Sequence, residues 1–529
     1  MDEQKLSRSN LLAANLGYIF RLHLLSRISD LIFKDTDMKE NNGYGAKRRR
    51  NYKVISAISV TIFVVGLISF LDSGKSKEDA ATLRQQRRSI HDNDSPPERI
   101  TTPGADDDKG PNRGRSNSKK SQGGNKVDPK EKLVLSGKAS LVNIRIPRES
   151  LSLNPTGNYS PHIMGVFCEI NWKLHKNDPP AYPMFHDLHK GSHCETGEFS
   201  LPLRNLARKA RSMDDKLENK EHPTRYDNVH TLQLKGVVFH ESRCGSTLVA
   251  NSMAAADPAT HRVYSESPPP ITAFKGCEAS GESSCDEDLQ TQLILDTMYF
   301  MSRSNDPKEK YLFLKIQSIG STAISAFRRA LPDIPYIFVY RDPVQVIMSH
   351  LNVPHNRILQ TNCLRSFHRK PQIYVDVIQE LTSKPYDELT PEEHCAAHMA
   401  TIVESVKKEY TRDPSMGVMV DYLDLPNILI THIFPNHFHL DMTSTMKENI
   451  LQVSGTYSKL RKPPNAIAKG NPKAAKMEDG KWESDIEKKE KMASPAVREA
   501  AKLLLQDNFE WMQEQSRVYK AASGIKVAV

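Results

Sequence analysis

Residues 232–256 read LQLKGVVFHESRCGSTLVANSMAAA, a short apolar run followed by a polar turn and a helical pattern. The apolar run is typical of a buried strand, and the residues from Ser246 to Ala256 are typical of a helix. A turn between a strand and a helix offers backbone N–H groups and the positive end of the helix dipole to an anion. Gly245 permits close approach of the backbone, and Arg243 adds a fixed positive charge. The stretch therefore predicts a phosphate-binding loop at Ser242–Thr247.

Short apolar runs alternate with helical patterns on both sides of this loop. The sequence predicts strands at 232–240, 311–316, 336–340 and 416–420, and helices at 246–256, 321–330, 344–351 and 391–409. Fully apolar strands separated by helices favour a parallel sheet that is covered on both faces. The predicted fold class is therefore α/β, with a central parallel sheet flanked by helices.

A second anion site is predicted in IPYIFVYRDPVQVIMSHL, residues 334–351. Asp342 and Pro343 are ordinary helix-start residues. Arg341 instead follows an apolar strand, at the edge where open α/β sheets bind their ligands. Ser349 lies eight residues after it in the sequence. Arg341 and Ser349 are thus expected to hold a second phosphate at a distance from the first.

Taken together, these two segments resemble the sulfotransferase superfamily. The family's [KR]-[SC]-G-[ST]-[ST] loop is matched by Arg243-Cys244-Gly245-Ser246-Thr247, and its R-[DN]-P-x5-S segment by Arg341 to Ser349. Val420–Leu425 is similar to its V-x-Y-E-D-L segment. The resemblance spans about residues 232–425 and implies a P-loop nucleotide-hydrolase-like fold that binds 3′-phosphoadenosine 5′-phosphosulfate (PAPS) without a metal.

The resemblance also assigns roles to individual residues. The loop would bind the 5′-phosphosulfate, and Arg341 with Ser349 the 3′-phosphate. A basic segment after residue 456 resembles a lid over the donor. The expected donor-binding residues are Arg243, Cys244, Gly245, Ser246, Thr247, Leu248, Arg341, Ser349, Ser458, Lys459 and Arg461. Lys315 and Ser318 are weaker candidates for contact with the donor.

Sulfuryl transfer also needs a base to take the proton of the acceptor hydroxyl. In the membrane-bound branches of the family that base is often a Glu about twenty residues after the loop. Glu266 lies 23 residues after Arg243, so it is the expected base, and Arg243 is expected to stabilise the transferring group. Pro268–Pro270 predict an extended chain just beyond it. The rival bases are His240, His261 and His350, near the motifs in sequence.

The N-terminal part of the chain predicts a membrane anchor. Residues 54–71, VISAISVTIFVVGLISFL, are uncharged and long enough to cross a bilayer, and Lys47–Arg50 precede them. The positive-inside rule then places residues 1–53 in the cytosol and the rest in the lumen. Residues 72–132 have the composition of a disordered stem. Residues 133–230 match no motif, and residues 231–529 form the predicted sulfotransferase domain. This layout predicts a single-pass type II Golgi membrane protein, with a glycosylation pattern at Asn158.

Composition limits the partners and the redox state. The net charge of +9 is mild and carries no nucleic-acid motif, so nucleic-acid binding is not expected. Seven cysteines without a C-x-x-C pair exclude a zinc ribbon. Cys244, inside the loop, is expected to be the unpaired thiol, and Cys277 with Cys285 is the first disulfide to test.

Two other functions compete with a sulfotransferase. A lumenal glycosyltransferase shares the layout, but its D-x-D metal motif should follow a strand, whereas Asp286-Glu287-Asp288 lies in a polar loop. A non-catalytic membrane protein with this fold is the other alternative. His394 and His398 lack the Glu of a zincin and are interpreted as a packed helix face. The acceptor is expected to be a carbohydrate hydroxyl, and the sequence leaves a homodimer open.

Overall fold

The computed structural model describes residues 128–218, 228–281, 285–351, 361–365, 370–459 and 484–525. The chain divides into two units, residues 1–119 and 120–529, and the described residues all lie in the second. The predicted membrane span, the segment before it and the stem up to residue 127 lie outside the described residues. Within the described residues, no helix combines the length and the apolar composition needed to cross a membrane.

A five-stranded sheet with all neighbours parallel forms the centre of the fold, which confirms the predicted α/β class. The strand order is β10-β9-β5-β8-β6. A second, antiparallel sheet is formed by β1, β2 and β3, and β4 pairs with β7 in a short ribbon. The strands are β1 (Ser140–Arg145), β2 (Met164–Cys168), β3 (Phe199–Pro202), β4 (His230–Thr231), β5 (Gln233–His240), β6 (His261–Ser265), β7 (Arg303–Ser304), β8 (Tyr311–Lys315), β9 (Tyr336–Tyr340) and β10 (Gly417–Asp421).

Helices cover both faces of the parallel sheet. They are α1 (Pro129–Leu135), α2 (Trp172–Asn177), α3 (Phe185–Gly191), α4 (Cys194–Gly197), α5 (Leu203–Glu218), α6 (Ser246–Ala256), α7 (Pro268–Phe274), α8 (Gly276–Ser280), α9 (Glu287–Ser302), α10 (Ile324–Ala330), α11 (Pro343–Leu351), α12 (Gln372–Leu381), α13 (Pro391–Arg412), α14 (Ser444–Ser454), α15 (Ile486–Met492), α16 (Pro495–Leu504) and α17 (Gln506–Ala522). Three 3₁₀ segments (Ser318–Ala323, Tyr386–Glu388, Tyr422–Asp424) and a π-helical one (Leu429–His437) complete the fold.

Alternate residues of each central strand enter different hydrophobic cores. In β9, Phe338 packs into a core shared with the antiparallel sheet, whereas Val339 packs against α6, the π-helical segment and α14. Phe239 and Val238 of β5 divide between the same two cores. Because successive strand side chains point to opposite faces, both faces of this sheet must be apolar, which is why its strands read as continuous apolar runs.

Residues 140–218, which lie in the segment 133–230 that matches no motif, build the antiparallel sheet and α2–α5. Their apolar side chains, such as Phe167 and Leu203, belong to the same core as Phe239 and Phe338 of the parallel sheet. Residues 129–132 of the predicted stem form the start of α1, where Asp128 accepts a hydrogen bond from the Lys130 N–H.

Three details differ from the sequence prediction. The edge strand β6 is absent from the prediction, because its sequence HRVYS contains polar residues. Its Arg262 is nevertheless buried, since it forms an ion pair with Glu309. The predicted helix 321–330 begins as the 3₁₀ turn Ser318–Ala323, and only Ile324–Ala330 is α-helical. The prediction that Pro268–Pro270 are extended was wrong: they form the first turn of α7, since the fixed φ of proline suits the start of a helix.

The cysteine prediction is confirmed. Cys277 pairs with Cys285, Cys168 pairs with Cys194 and Cys363 pairs with Cys395, while Cys244 is a buried free thiol. Cys168–Cys194 joins β2 to α4, and Cys363–Cys395 joins the segment 361–365 to α13.

Candidate active site

The predicted phosphate loop lies between β5 and α6, at the carboxyl edge of the parallel sheet. Ser242, Arg243 and Gly245 have positive φ angles of 92°, 53° and 87°. Turn conformations of this kind form anion-binding concavities from successive N–H groups, and the Ser242 N–H is bound to His240 Nδ1. The helix α6 begins immediately afterwards at Ser246 and adds the positive end of its dipole. Burial raises the pKa of the Cys244 thiol to about 12, so this cysteine is an uncharged part of the loop.

Arg341 leaves the end of the neighbouring strand β9, as predicted. Its side chain is 6% exposed, and the ring of Tyr422 covers the guanidinium at 4.2 Å from Cζ to the centroid. Nε donates to Gln345 Oε1 at 2.7 Å, and Nη2 donates to Asp485 Oδ1 at 2.9 Å. The guanidinium is therefore held rigidly, with a carboxylate on one of its donor nitrogens.

Glu266 follows the edge strand β6 and is 23% exposed. Its Oε1 forms an ion pair with the buried Lys315 ammonium, and His240 Nε2 lies 3.6 Å from the same oxygen. Burial alone would raise the pKa of Glu266, but Lys315 and His240 outweigh it, so the pKa lies well below its usual range. Glu266 also has a positive φ of 58°, a strained conformation for a non-glycine residue. The carboxylate is thus ionised, fixed and open to the cleft.

The three rival histidines are placed differently. His240 accepts the Ser242 N–H on Nδ1 at 3.0 Å, so a neutral ring carries its own proton on Nε2, facing Glu266. Burial and the nearby Lys315 lower the pKa of His240 to about 4, which keeps the ring neutral. His261 binds the Met253 carbonyl within the core, and His350 is a buried residue of α11. Of these groups, Glu266 and His240 line the cleft, and only Glu266 carries a charge there.

A single cleft of about 760 Å³ brings these groups together. The loop, Arg341, Glu266 and Gln317 lie at strand ends β5, β9, β6 and β8, respectively, and all line it. Predicted donor-binding residues that also line it are Cys244, Gly245, Ser246, Thr247, Leu248, Ser349, Ser458 and Lys459. Ser318 lines the cleft as well, whereas Lys315 is buried beneath Glu266. Arg461 lies outside the described residues.

Four contributors to the site were not predicted. Glu241 is buried in the loop and accepts the Arg341 backbone N–H at 2.6 Å, which joins the two predicted anion sites. Burial raises the pKa of Glu241 well above its usual range. The position of Glu241 directly after a strand was the sequence feature that could have indicated its place in the site. Gln317 donates to the Glu266 carbonyl at 3.3 Å. Asp485 and Lys489 come from the distant α15 region, and nothing in the local sequence indicated them.

The competing metal motifs have structural roles. Asp286 accepts hydrogen bonds from the Asp288 and Leu289 N–H groups and so caps α9, away from the cleft. His398 Nδ1 is bound to the Tyr374 hydroxyl at 2.6 Å within a packed helix face. His350 lies near Cys363 and Cys395, but those sulfurs form a disulfide and are not metal ligands.

Gly245 offers a direct test of the loop geometry. A Cβ at this position would lie 2.6 Å from Tyr422 Cδ2, on a backbone with φ 87°. Gly245→Ala is expected to displace the Tyr422 ring from Arg341 and to weaken nucleotide binding about fivefold or more, because left-handed strain and overlap together cost about 1–3 kcal/mol.

The matched control is Gly157→Ala, which has φ 60° but no atom within 4 Å of the added Cβ. Isothermal titration calorimetry and thermal unfolding would be measured on both variants. Equal losses of nucleotide affinity would show that the close approach to Tyr422 has no role in the loop.

Comparisons with known proteins add a distant structural similarity. No protein-family model matches the sequence, and no curated protein matches it. Similar solved structures include the sulfotransferase domain from the curacin biosynthetic pathway, at 11% identity and a TM-score of 0.28, covering 52% of this chain and 98% of that one. The sulfotransferase domain of the Synechococcus PCC 7002 olefin synthase has 13% identity and a TM-score of 0.28, and the match covers 54% of this chain and 95% of that one. The sulfotransferase STF9 from Mycobacterium avium has 12% identity and a TM-score of 0.27, and the match covers 53% of this chain and 76% of that one.

Proposed function

We propose that this chain is a PAPS-dependent sulfotransferase that transfers a sulfuryl group to an acceptor hydroxyl. One observation carries the proposal. Two arginines and one carboxylate lie in a single cleft, at the ends of strands of the parallel sheet. Arg341 follows β9, the loop with Arg243 follows β5, and Glu266 follows β6.

The strand order gives these groups a sequence along the cleft. From β9 through β5 and β8 to β6, Arg341 comes first, the loop second and Glu266 last. Neighbouring strands lie about 4.8 Å apart, so Arg341 and Glu266 leave the sheet about 14 Å from one another. A nucleotide with a phosphate on the ribose and a phosphosulfate at its 5′ end suits this order. The phosphate would lie on Arg341 and the phosphosulfate on the loop, with the sulfuryl group toward Glu266.

Two features of the cleft fit such a donor. Arg341 already binds a carboxylate, so its environment accepts an oxyanion. The loop has the positive φ angles and the helix start that bind a phosphate-type group. Ser349, Ser458 and Lys459 line the same cleft and supply further donors. The Walker lysine is absent, which separates this loop from those of ATPases and kinases.

PAPS supplies the sulfuryl group, and adenosine 3′,5′-bisphosphate is the second product. The acceptor oxygen forms the new S–O bond while the bond between sulfur and the 5′-phosphate oxygen breaks. Glu266 takes the hydroxyl proton, and Arg243 with the loop N–H groups stabilises negative charge on the leaving side. Glu266 is a weak base in the free protein. Its proton transfer is therefore coupled to S–O bond formation, which acidifies the hydroxyl.

The acceptor is proposed to bind beyond Glu266, against residues 142–143, 184–186, 189 and 198, which line the cleft. The Ser265 hydroxyl donates to the Pro183 carbonyl at 2.8 Å and so fixes this wall beside Glu266. The side chains of Asn143, His186 and His189 offer the hydrogen bonds that hydroxyl groups use. A carbohydrate hydroxyl suits this lining, and it is the acceptor class we propose.

The proposed location is the Golgi lumen, with the chain anchored by the predicted span at 54–71 in type II orientation. Three disulfides among the described residues support an oxidising compartment for the catalytic part. Protease protection of the C-terminal part in sealed Golgi vesicles would test this topology.

The proposal is tested by calorimetric titration of the purified full-length chain with adenosine 3′,5′-bisphosphate, 5′-AMP and UDP. We expect the bisphosphate to bind at least about tenfold more tightly than 5′-AMP, since a charge-assisted phosphate contact contributes about 1.5–3 kcal/mol. Preference for UDP would instead favour a glycosyltransferase. Absence of binding to all three nucleotides would refute the donor assignment.

A further inference from the structure

The carboxylate of Asp485 forms an ion pair with the guanidinium of Arg341. Asp485 Oδ1 accepts from Arg341 Nη2 at 2.9 Å, and its Oδ2 lies 2.8 Å from Lys489 Nζ. All three side chains line the cleft. Two cations thus converge on one carboxylate at the position assigned above to the ribose phosphate.

Burial explains why a resident anion is needed there. Arg341 is 6% exposed and Lys489 is 12% exposed, so both charges are largely removed from water. Buried charges are costly unless they are paired. Without a nucleotide, Asp485 provides the counter-charge that keeps this pair of cations in the folded protein.

The surroundings of Arg341 restrict how a phosphate can reach it. Tyr422 covers one face of the guanidinium, and Gln345 holds Nε. Asp485 accepts a hydrogen bond from Nη2, and both residues line the cleft. A phosphate that takes the N–H used by Asp485 displaces the carboxylate, and it then gains Lys489 as a second cation.

We propose that Asp485 is a built-in competitor of the donor's ribose phosphate, which holds Arg341 and Lys489 in place when the site is empty and promotes release of the bisphosphate product. This inference rests on the proposed function. A carboxylate carries one negative charge and the phosphate carries more, so the phosphate displaces Asp485 from Arg341 and Lys489 while the nucleotide is bound. Asp485 binds the two cations again when the nucleotide leaves. Asp485 acts through Arg341 and Lys489 and is a positioning residue. Lys489 is assigned as a further phosphate ligand.

The test is the affinity of Asp485→Asn for adenosine 3′,5′-bisphosphate, measured by calorimetry on the full-length chain. Removing the competitor is expected to tighten bisphosphate binding about fivefold, because the Asp485 carboxylate is half-exposed and its ion pair with Arg341 falls at the upper end of the range for surface pairs. The affinity for 5′-AMP, which lacks the ribose phosphate, should stay within twofold, roughly the error of such a measurement. Product inhibition by the bisphosphate should strengthen in parallel.

Glu487→Gln is the matched control, because Glu487 is on the same helix, is 89% exposed and does not line the cleft. It should leave both affinities unchanged. Lys489→Met should weaken bisphosphate binding but not 5′-AMP binding. In the Arg341→Ala background, the gain from Asp485→Asn should shrink, since the two residues are coupled.

The outcomes separate this inference from the proposed function. If the wild type binds the bisphosphate and Asp485→Asn binds it equally or more weakly, the competitor role is wrong and the donor assignment stands. If the wild type binds no bisphosphate, the donor assignment itself fails and the competitor role fails with it.

Discussion

Glu266→Gln is expected to lower kcat for sulfate transfer by about 10²- to 10⁴-fold, the usual contribution of a positioned general base. The amide keeps the shape of the carboxylate and can still accept from Lys315, so the fold and the donor site should persist. It cannot accept the hydroxyl proton. Turnover would be measured with ³⁵S-labelled PAPS and a carbohydrate acceptor identified with the wild type.

Binding and surface controls make this result specific. The affinity of Glu266→Gln for adenosine 3′,5′-bisphosphate should equal that of the wild type. Glu278→Gln removes a 60% exposed carboxylate that does not line the cleft, and it should retain full turnover. Turnover of Glu266→Gln within a fewfold of the wild type would mean that another group takes the proton.

The pH dependence distinguishes the carboxylate from a histidine. Because Lys315 and His240 hold the pKa of Glu266 below its ordinary 4.5, the base stays ionised as the pH falls through 6 and 5. We therefore expect no acid limb from Glu266 in kcat/KM above about pH 4.5. An acid limb above that pH would contradict Glu266 as the base, whereas a limb near pH 4 would match the pKa of the His240 imidazole.

Arg341→Ala is expected to weaken binding of adenosine 3′,5′-bisphosphate by about 30- to 5,000-fold, because truncating one partner of a buried charged contact costs about 2–5 kcal/mol. The affinity for 5′-AMP should change little, since that nucleotide has no phosphate for Arg341. Calorimetric titration of both nucleotides gives the two affinities.

Arg341→Lys separates charge from geometry. Lysine keeps the positive charge but lacks the planar guanidinium that stacks on Tyr422 and donates to Gln345. We expect it to recover only part of the lost bisphosphate affinity. If Arg341→Ala weakened bisphosphate and 5′-AMP equally, the residue would support the cleft as a whole and not the ribose phosphate.

Local sequence was sufficient for elements whose chemistry lies within a few residues. The loop at Ser242–Thr247 follows an apolar strand and precedes a helix, and the structure has that arrangement. β9 and the position of Arg341 were likewise predictable from a five-residue apolar run. The pattern failed for β6, since its buried Arg262 is neutralised by Glu309, which lies 47 residues away in sequence.

What the sequence by itself determined was the α/β class, the anion loop, Arg341 at a strand end and the unpaired Cys244. Each depends on backbone geometry or on apolar patterning over a short window. Only the tertiary structure decided the order β10-β9-β5-β8-β6, which places Glu266 at one end of the cleft and Arg341 at the other. It alone brought Asp485 to Arg341 across 144 residues of sequence. Such contacts depend on which strands pair and how helices pack, and no local pattern encodes them.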